Sequence, residues 1–328
     1  MTGSGQAMND TAPALRDQTP ERREELRQLL RGLAKPQKWI SSMYFYDAAG
    51  SHLFDRITTL PEYYLTRTEL AIMRERGAEM AAAIGPDAMV IEPGSGSGEK
   101  IRLLLQALER PVAYVPIEIA REHLEASSRD LAREFPQIEV LPVWADFTRE
   151  LEIPRPRRQA RRRLVYFPGS TLGNFEPPDA AELLRNFAGM AGAGGAALVG
   201  VDVAKPAARI EAAYNDAEGV TAAFNLNMLR NLNSRFGADF DPAAFEHDAF
   251  YDADQGRVEM HLRSLREQNV HLAGETIHFR AGESIHTESS YKFTEERFAA
   301  LAERGGFRVM RTWMDAEGLF SVRYLECL

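Results

Sequence analysis

The sequence predicts an α/β fold: a doubly wound parallel sheet with a second, smaller α+β unit attached. Three observations predict it. Short apolar runs alternate with amphipathic helical patterns between residues 89 and 203, which implies parallel strands joined by crossover helices. The first run, Met89-Val90-Ile91, ends in Glu92-Pro93-Gly94-Ser95-Gly96-Ser97-Gly98 and turns at once into a helix. After Lys205 the pattern changes to helices followed by strictly alternating segments, which is the signature of antiparallel strands.

Taken in order, residues 1–20 are small, polar and proline-containing, and read as a disordered arm. Residues 21–33 form a helix with Leu26, Leu29, Leu30 and Leu33 on one face. Residues 38–67 are aromatic-rich and turn-interrupted, and carry Tyr44, Tyr46, Tyr63 and Tyr64. They read either as a core patch or as a lid whose tyrosines line a small polar site. A helix over 68–83 leads into the first strand and its glycine loop. A helix over 100–108 follows, then a strand over 111–117 that ends at Glu118. A helix over 121–135 precedes a third strand over 138–143, which leads to Asp146-Phe147. Residues 154–163 hold six arginines and read as a solvated connector. A fourth strand over 164–167 runs into Pro168-Gly169-Ser170-Thr171-Leu172-Gly173-Asn174-Phe175, then a helix, and 196–203 is a fifth strand. Gly94, Glu118, Asp146, Gly169 and Asn174 all fall at the carboxyl ends of strands, where parallel sheets bind ligands.

Beyond Lys205, helices are expected over 206–217 and 220–232, bearing Tyr214 and Asn225. Strands are expected over 257–262, 276–280 and 285–293. Glu288 and Ser290 share one strand face. A helix at 298–302 and strands at 307–313 and 320–326 complete the chain. The ending, Gly305-Gly306-Phe307, strand, turn, strand, resembles the terminal hairpin of class I methyltransferases.

Composition sets outer bounds. With 328 residues and 45% hydrophobic content the chain can bury a proper core. A net charge of −9 argues against general nucleic-acid binding. A lone cysteine, Cys327, permits no disulfide within the chain and fits a reducing cytoplasm. No apolar run is long enough to span a bilayer, and no signal-peptide core is present, so no membrane partner is expected. The seven histidines are scattered and form no metal-ligand spacing, so no metal is expected. The many surface charges permit a monomer.

A glycine loop opening a helix cradles a nucleotide, and both NAD and S-adenosylmethionine suit it. The dinucleotide fingerprint fits poorly, because Gly98 comes one residue too early after Gly96 and Glu99 stands where the third glycine is required. The acid before the glycines and the Asp146-Phe147 pair favour S-adenosylmethionine. An NAD-dependent oxidoreductase and a binding protein that has kept the fold without catalysis are the rivals.

From about Lys38 to its end the chain resembles the ergothioneine-pathway L-histidine Nα-methyltransferases. The resemblance rests on YDAAGSHLFDRIT, LPEYY, EPGSGSGEK, VPIE, ADF, FPGSTLGNFEP, AAYNDAEGVTAAFN and IHTESSYKF, in that order. It implies a class I, Rossmann-like methyltransferase domain over 60–203 plus 294–328 that binds S-adenosylmethionine. Residues 21–59 plus 204–293 then form the substrate domain. It places Gly94, Lys100, Glu118, Asp146 and Phe147 on the cofactor. It places Tyr63, Gly169, Asn174 and Tyr214 on the amino acid end of L-histidine, and Tyr46 beside the reacting amine, with Tyr46 and Tyr63 as the catalytic pair. Glu288 and Ser290 fall on the positions that read the imidazole, with Met260 packing nearby. The family usually has Asp where this chain has Glu118, and a Thr-Ser pair where it has Ser97-Gly98. The implied reaction is three successive methyl transfers to the α-amino group, giving the trimethylated hercynine.

The residue chemistry accords with this. Asn174 and Tyr214 can donate to a carboxylate, and a carboxylate and a hydroxyl two residues apart on a strand can grip two imidazole nitrogens. Each also has a plainer reading: Asn174 as a turn residue, Glu288 as a surface ion-pair partner, Met260 as core. A sister enzyme of the same fold acting on another amine, such as a tryptophan derivative, is the nearest alternative.

Overall fold

The computed structural model describes residues 13, 15–18, 22–96 and 98–328. In chain order the strands and α-helices are β1 (Arg16–Gln18), α1 (Arg22–Leu33), β2 (Lys38–Trp39), α2 (Ala48–Thr59), α3 (Tyr64–Ile84), β3 (Ala88–Pro93), α4 (Glu99–Ala107), β4 (Ala113–Glu118), α5 (Arg121–Glu134), β5 (Glu139–Val140), β6 (Val143–Ala145), β7 (Arg162–Phe167), α6 (Pro177–Ala191) and β8 (Ala196–Asp202). There follow α7 (Ala207–Tyr214), α8 (Val220–Phe236), β9 (Phe245–Asp252), β10 (Arg257–Ser264), β11 (Gln268–Leu272), β12 (Glu275–Phe279), β13 (Ser284–Tyr291), α9 (Glu295–Arg304), β14 (Phe307–Met314) and β15 (Phe320–Cys327).

The large sheet runs β1-β6-β4-β3-β7-β8-β15-β14, with β5 beside β4. Strands β3, β4, β6, β7 and β8 are parallel, and β15 turns antiparallel against β8. This is a doubly wound α/β sheet, ending in the antiparallel hairpin the sequence suggested. The strand order reverses direction between β3 and β7, and crevices that bind ligands form at such a switch. Both faces of the sheet are covered. Met89, Ile91, Val165 and Phe167 enter one core with α6 and α9, while Val90, Leu164 and Tyr166 enter the other with α3. That is why the strands read as unbroken apolar runs. The second core continues without a break into the small sheet, β2-β13-β10-β9, through Phe245, Val258 and Ile285.

Several expectations are corrected. Arg16–Gln18, assigned to a disordered arm, pairs in parallel with β6, and Gln18 exchanges hydrogen bonds with the backbone of Glu152 (both 3.2 Å). Most of the remaining arm lies outside the described residues. The third strand is two short strands, β5 and β6, separated at Pro142, which has no N–H to give a ladder. The turn-interrupted stretch holds a full helix, α2. Asp47 caps it by accepting from Gly50 N (2.7 Å), and its own carboxylate is fixed by Asn227 of α8 (2.8 Å). β9 and β11 went unforeseen. The arginine connector ends at residue 161, since Arg162 and Arg163 already belong to β7, while Arg110, Arg158 and Arg161 gather around Asp87.

Candidate active site

The carboxyl ends of β3, β4, β6 and β7 open onto a cavity of about 1330 Å³, walled on the far side by residues 41–66, α8, β10 and β13. Every site residue singled out from the sequence lines it, from Tyr46 to Ser290.

The half beneath the large sheet is built on backbone turns. Gly94 has φ +72°, and its N–H donates to Ile117 O (2.7 Å), which pins the loop to β4. A Cβ at Gly94 would stand 3.3 Å from the Phe147 ring, so glycine leaves the space in front of that ring open. Phe147 is itself held edge-on by Phe167 and Phe175. Asp146 accepts from Thr148 N (3.0 Å) and Thr148 Oγ1 (2.7 Å), so its carboxylate is fixed at the end of β6. Glu118 accepts from the N–H groups of Ile119 and Ala120 (2.8 and 3.1 Å). Lys100 is paired with Glu69, a residue the sequence reading missed. Glu69 is 1% exposed and also accepts from Gly169 N (2.9 Å), tying the β3 loop to the β7 loop. Glu92 is buried beside Tyr114, which donates to it. Burial pushes its carboxyl up to about 8, so it is protonated at neutral pH.

The other half is built on side chains from distant segments. The β7–α6 loop lies directly on β13 because Gly173 has no side chain: a Cβ there would sit 2.8 Å from Tyr291 O. That approach brings Asn174 Nδ2 to Glu288 Oε2, to which it donates (3.3 Å). Met260 lies opposite Glu288 on β10, beside a bulge between Met260 and His261. Thr287 donates to Met260 O (3.0 Å), and Asn225 of α8 donates to His261 O (2.9 Å), satisfying the bulge. Tyr214 at the end of α7 donates to Ser290 Oγ (2.8 Å). Tyr46 packs edge-on against Phe54 and Phe224, and Phe54 in turn meets Tyr63. Arg67 donates to the carbonyls of Leu60, Pro61 and Tyr63 and fixes the turn that carries Tyr63. Burial raises the Tyr46, Tyr63 and Tyr214 hydroxyls well above the usual phenol range, so all three stay neutral. Burial also raises Glu288, up to about 7, against the pull of Lys292.

Behind Tyr214 lies a buried charge cluster that the sequence reading missed: Lys292, Asp202, Lys205 and Tyr64. The signal was available, since Lys292 continues the alternation of Glu288 and Ser290 along β13. The scattered histidines also hid a grouping. Glu259, His261 and His286 bring possible ligand atoms within 4.8 Å of one another. Within this group Glu259 pairs with Arg257 and with His261 Nε2 (2.9 Å), His261 Nδ1 lies 3.0 Å from Ser284 Oγ, and the two imidazoles stack with centroids 5.0 Å apart.

A family model described as a histidine-specific, SAM-dependent methyltransferase matches residues 25–327. The chain belongs to that family. It is 42% identical over 306 residues to the histidine N-alpha-methyltransferase of Mycolicibacterium smegmatis, covering 91% of this chain and 94% of that protein. It is 41% identical over 302 residues to the protein of the same description from Mycobacterium tuberculosis, covering 90% and 92%. It is 32% identical over 286 residues to ergothioneine biosynthesis protein 1 of Neurospora crassa, covering 84% of this chain and 32% of that much longer one. S-adenosylmethionine is the family's methyl donor. The strand-end half of the cavity fits it: a cradle that a Cβ would fill, a flat ring wall, two fixed carboxylates and a lysine suit a purine, a ribose diol and a charged tail. Among the described residues, no helix is long and apolar enough to cross a membrane.

Proposed function

We propose that this chain transfers methyl groups from S-adenosylmethionine to the α-amino nitrogen of L-histidine, three times, giving Nα,Nα,Nα-trimethylhistidine for ergothioneine synthesis, and that it does so as a cytoplasmic monomer. The observation that carries the reading is the convergence of Asn174, Tyr214, Glu288 and Ser290 in the same cavity as the Gly94 loop. Those four side chains match a free amino acid that carries both a carboxylate and a ring with two nitrogens.

S-adenosylmethionine supplies an electrophilic methyl group on a sulfonium. Glu118 would take the ribose hydroxyls and Asp146 the adenine amino group, with Phe147 against the ring and Gly94 and Lys100 at the amino acid tail. Asn174, Tyr63 and Tyr214 donate to the histidine carboxylate, next to the Gly169 backbone. Glu288 accepts from one imidazole nitrogen and Ser290 donates to the other, while Met260 covers the ring. Tyr46 stands by the amine. Its raised pKa makes it a hydrogen-bonding partner that orients the nitrogen, not a phenolate base. The nitrogen attacks as the neutral amine, so the ammonium first gives up its proton to solvent, and positioning supplies most of the acceleration. The aromatic surround of Tyr46, Phe54 and Phe224 suits a nitrogen that gains a fixed positive charge. We take residues 60–203 plus 294–328 as the donor-binding part, and 21–59 plus 204–293 as the part that reads the amino acid.

The test is mass spectrometry of reactions containing the purified protein, S-adenosylmethionine and each standard amino acid separately. Gains of one, two and three methyl groups on histidine alone are expected. Methylation of tryptophan instead would retain the donor site and overturn the roles of Glu288 and Ser290.

A further inference from the structure

We propose that Lys292 is a positioning residue that commits the hydroxyl protons of Tyr214 and Ser290 to the substrate. The inference rests on the histidine reading above. Lys292 does not line the cavity; it lies one step behind the wall, with its side chain fully buried. Its ammonium has three N–H donors and meets three acceptors: Tyr214 Oη at 2.9 Å, Ser290 Oγ at 2.8 Å and Asp202 Oδ2 at 3.0 Å. An ammonium carries no lone pair. Neither hydroxyl can donate to it, so both must accept from it and turn their own protons elsewhere.

For Ser290 the direction left is the cavity, because Tyr214 already donates to its oxygen from the side. Ser290 is thereby set as a donor beside the acceptor Glu288 on the same strand face. That pair selects a neutral imidazole in one orientation: the nitrogen bearing hydrogen toward Glu288, the bare nitrogen toward Ser290. For Tyr214, an arriving carboxylate competes with Ser290 for the phenol proton, and Lys292 strengthens that proton as a donor by polarising the oxygen. Asp202 is fully buried between Lys205 and Lys292 and accepts from Tyr64 (2.8 Å). Asp202 keeps Lys205 and Tyr64 if Lys292 is replaced, so the replacement does not orphan a buried charge.

The experiment is calorimetric titration of L-histidine and, separately, S-adenosylhomocysteine into the unaltered protein and the variants Lys292→Met, Lys292→Gln and Lys205→Met. Lys205 shares Asp202 but touches neither hydroxyl, so it controls for the buried charge cluster as such. Lys292→Met should weaken histidine by at least about tenfold, the scale of a lost charge-assisted hydrogen bond. Lys292→Gln, which keeps amide donors and guards against a misfolded Met variant, should weaken it by less. Lys205→Met should stay within about threefold, and S-adenosylhomocysteine within about twofold throughout. Histidine affinity unchanged in the folded Lys292 variants would overturn the proposal. So would equal losses in Lys292→Met and Lys205→Met, or parallel losses of both ligands, because a merely structural role gives those patterns. An unaltered protein that binds S-adenosylhomocysteine but not histidine would instead overturn the histidine reading, and this inference with it.

Discussion

The two halves of the cavity are made in different ways. The half under the large sheet comes from one stretch of chain, Glu92 to Phe147, and its parts are turns at the ends of adjacent strands. Its key contacts are backbone ones: Gly94 N to Ile117 O, and Ile119 and Ala120 N to Glu118. The facing half gathers side chains from Tyr46 to Ser290. They are held by bonds between side chains and by ions removed from water, such as Asn174 with Glu288 and Lys292 with Asp202. On the proposed assignment, recognition of the nucleoside is a local property of this fold, and recognition of the amino acid is a tertiary property that exists only once distant segments have met. The two halves should therefore respond separately to substitution.

The largest expected effect lies in the tertiary half. Glu288→Ala should lower kcat/KM for histidine by about 10³-fold, because a site built to hydrogen-bond a ring loses that partner entirely. S-adenosylhomocysteine affinity should not move, and a loss there would break the separation. Gly94→Val is the counterpart. A branched side chain at positive φ, aimed at the Phe147 ring, should weaken S-adenosylhomocysteine by about 100-fold and leave histidine affinity largely intact in calorimetry. Tyr46→Phe should slow turnover by about tenfold and shift the ratio of mono-, di- and trimethylated products read by mass spectrometry, with little change in cofactor affinity. Rates unchanged from the parent for all three transfers would remove Tyr46 from the chemistry.

Two smaller effects depend on pH. The Glu288 carboxyl is raised to about 7, so it is ionised above that pH and protonated below it. Histidine affinity should fall as pH drops from 8 to 6, beyond what titration of the free imidazole near 6.5 explains, and Glu288→Gln should flatten that excess. Glu92 sharpens the comparison from the other side. Its folded pKa is about 8 against an ordinary 4.5. The unfolded chain therefore releases this proton first, and stability contributed by the neutral carboxyl is full below about 4.5 and lost as pH rises toward about 8. Glu92→Gln should gain on the parent at pH 8.5 relative to pH 5, on the order of 4 kcal/mol, in denaturant melts.

How much of this was legible in the sequence follows the same division. The strand–glycine–helix unit, the acids closing β4 and β6 and the terminal hairpin could be read directly, because spacing along the chain is spacing in space there. The third strand was blurred only where Pro142 breaks its ladder. The α2 helix was hidden because Asp47, Gly50 and Ser51 look like turn residues; Asp47 is its cap, and Gly50 lets the helix pass close to Phe45 O. On the substrate side, strand alternation put Glu288 and Ser290 on one face and aromatic density gave the Tyr46–Tyr63 stretch a lid reading, but the role of each residue came from family resemblance. Glu69 and Lys292 escaped altogether. A buried acid or lysine is recognisable only from the partners that satisfy it, and those partners lie far away in sequence: Lys100 and Gly169 for Glu69, Tyr214 and Asp202 for Lys292.

The three-residue strand at Arg16–Gln18 bears on how the protein can be handled. It covers the edge of β6, residue against residue up to Gln18 beside Ala145, and the Gln18 side chain grips Glu152 on the far side of the Asp146 turn. This strand thus buttresses the wall proposed to take adenine. An expression tag cut too close, or a shortened version begun at the first helix, would strip that buttress. It would weaken nucleotide binding while leaving every cavity residue in place, and a trimmed protein that reads as inactive would be misjudged as the wrong enzyme.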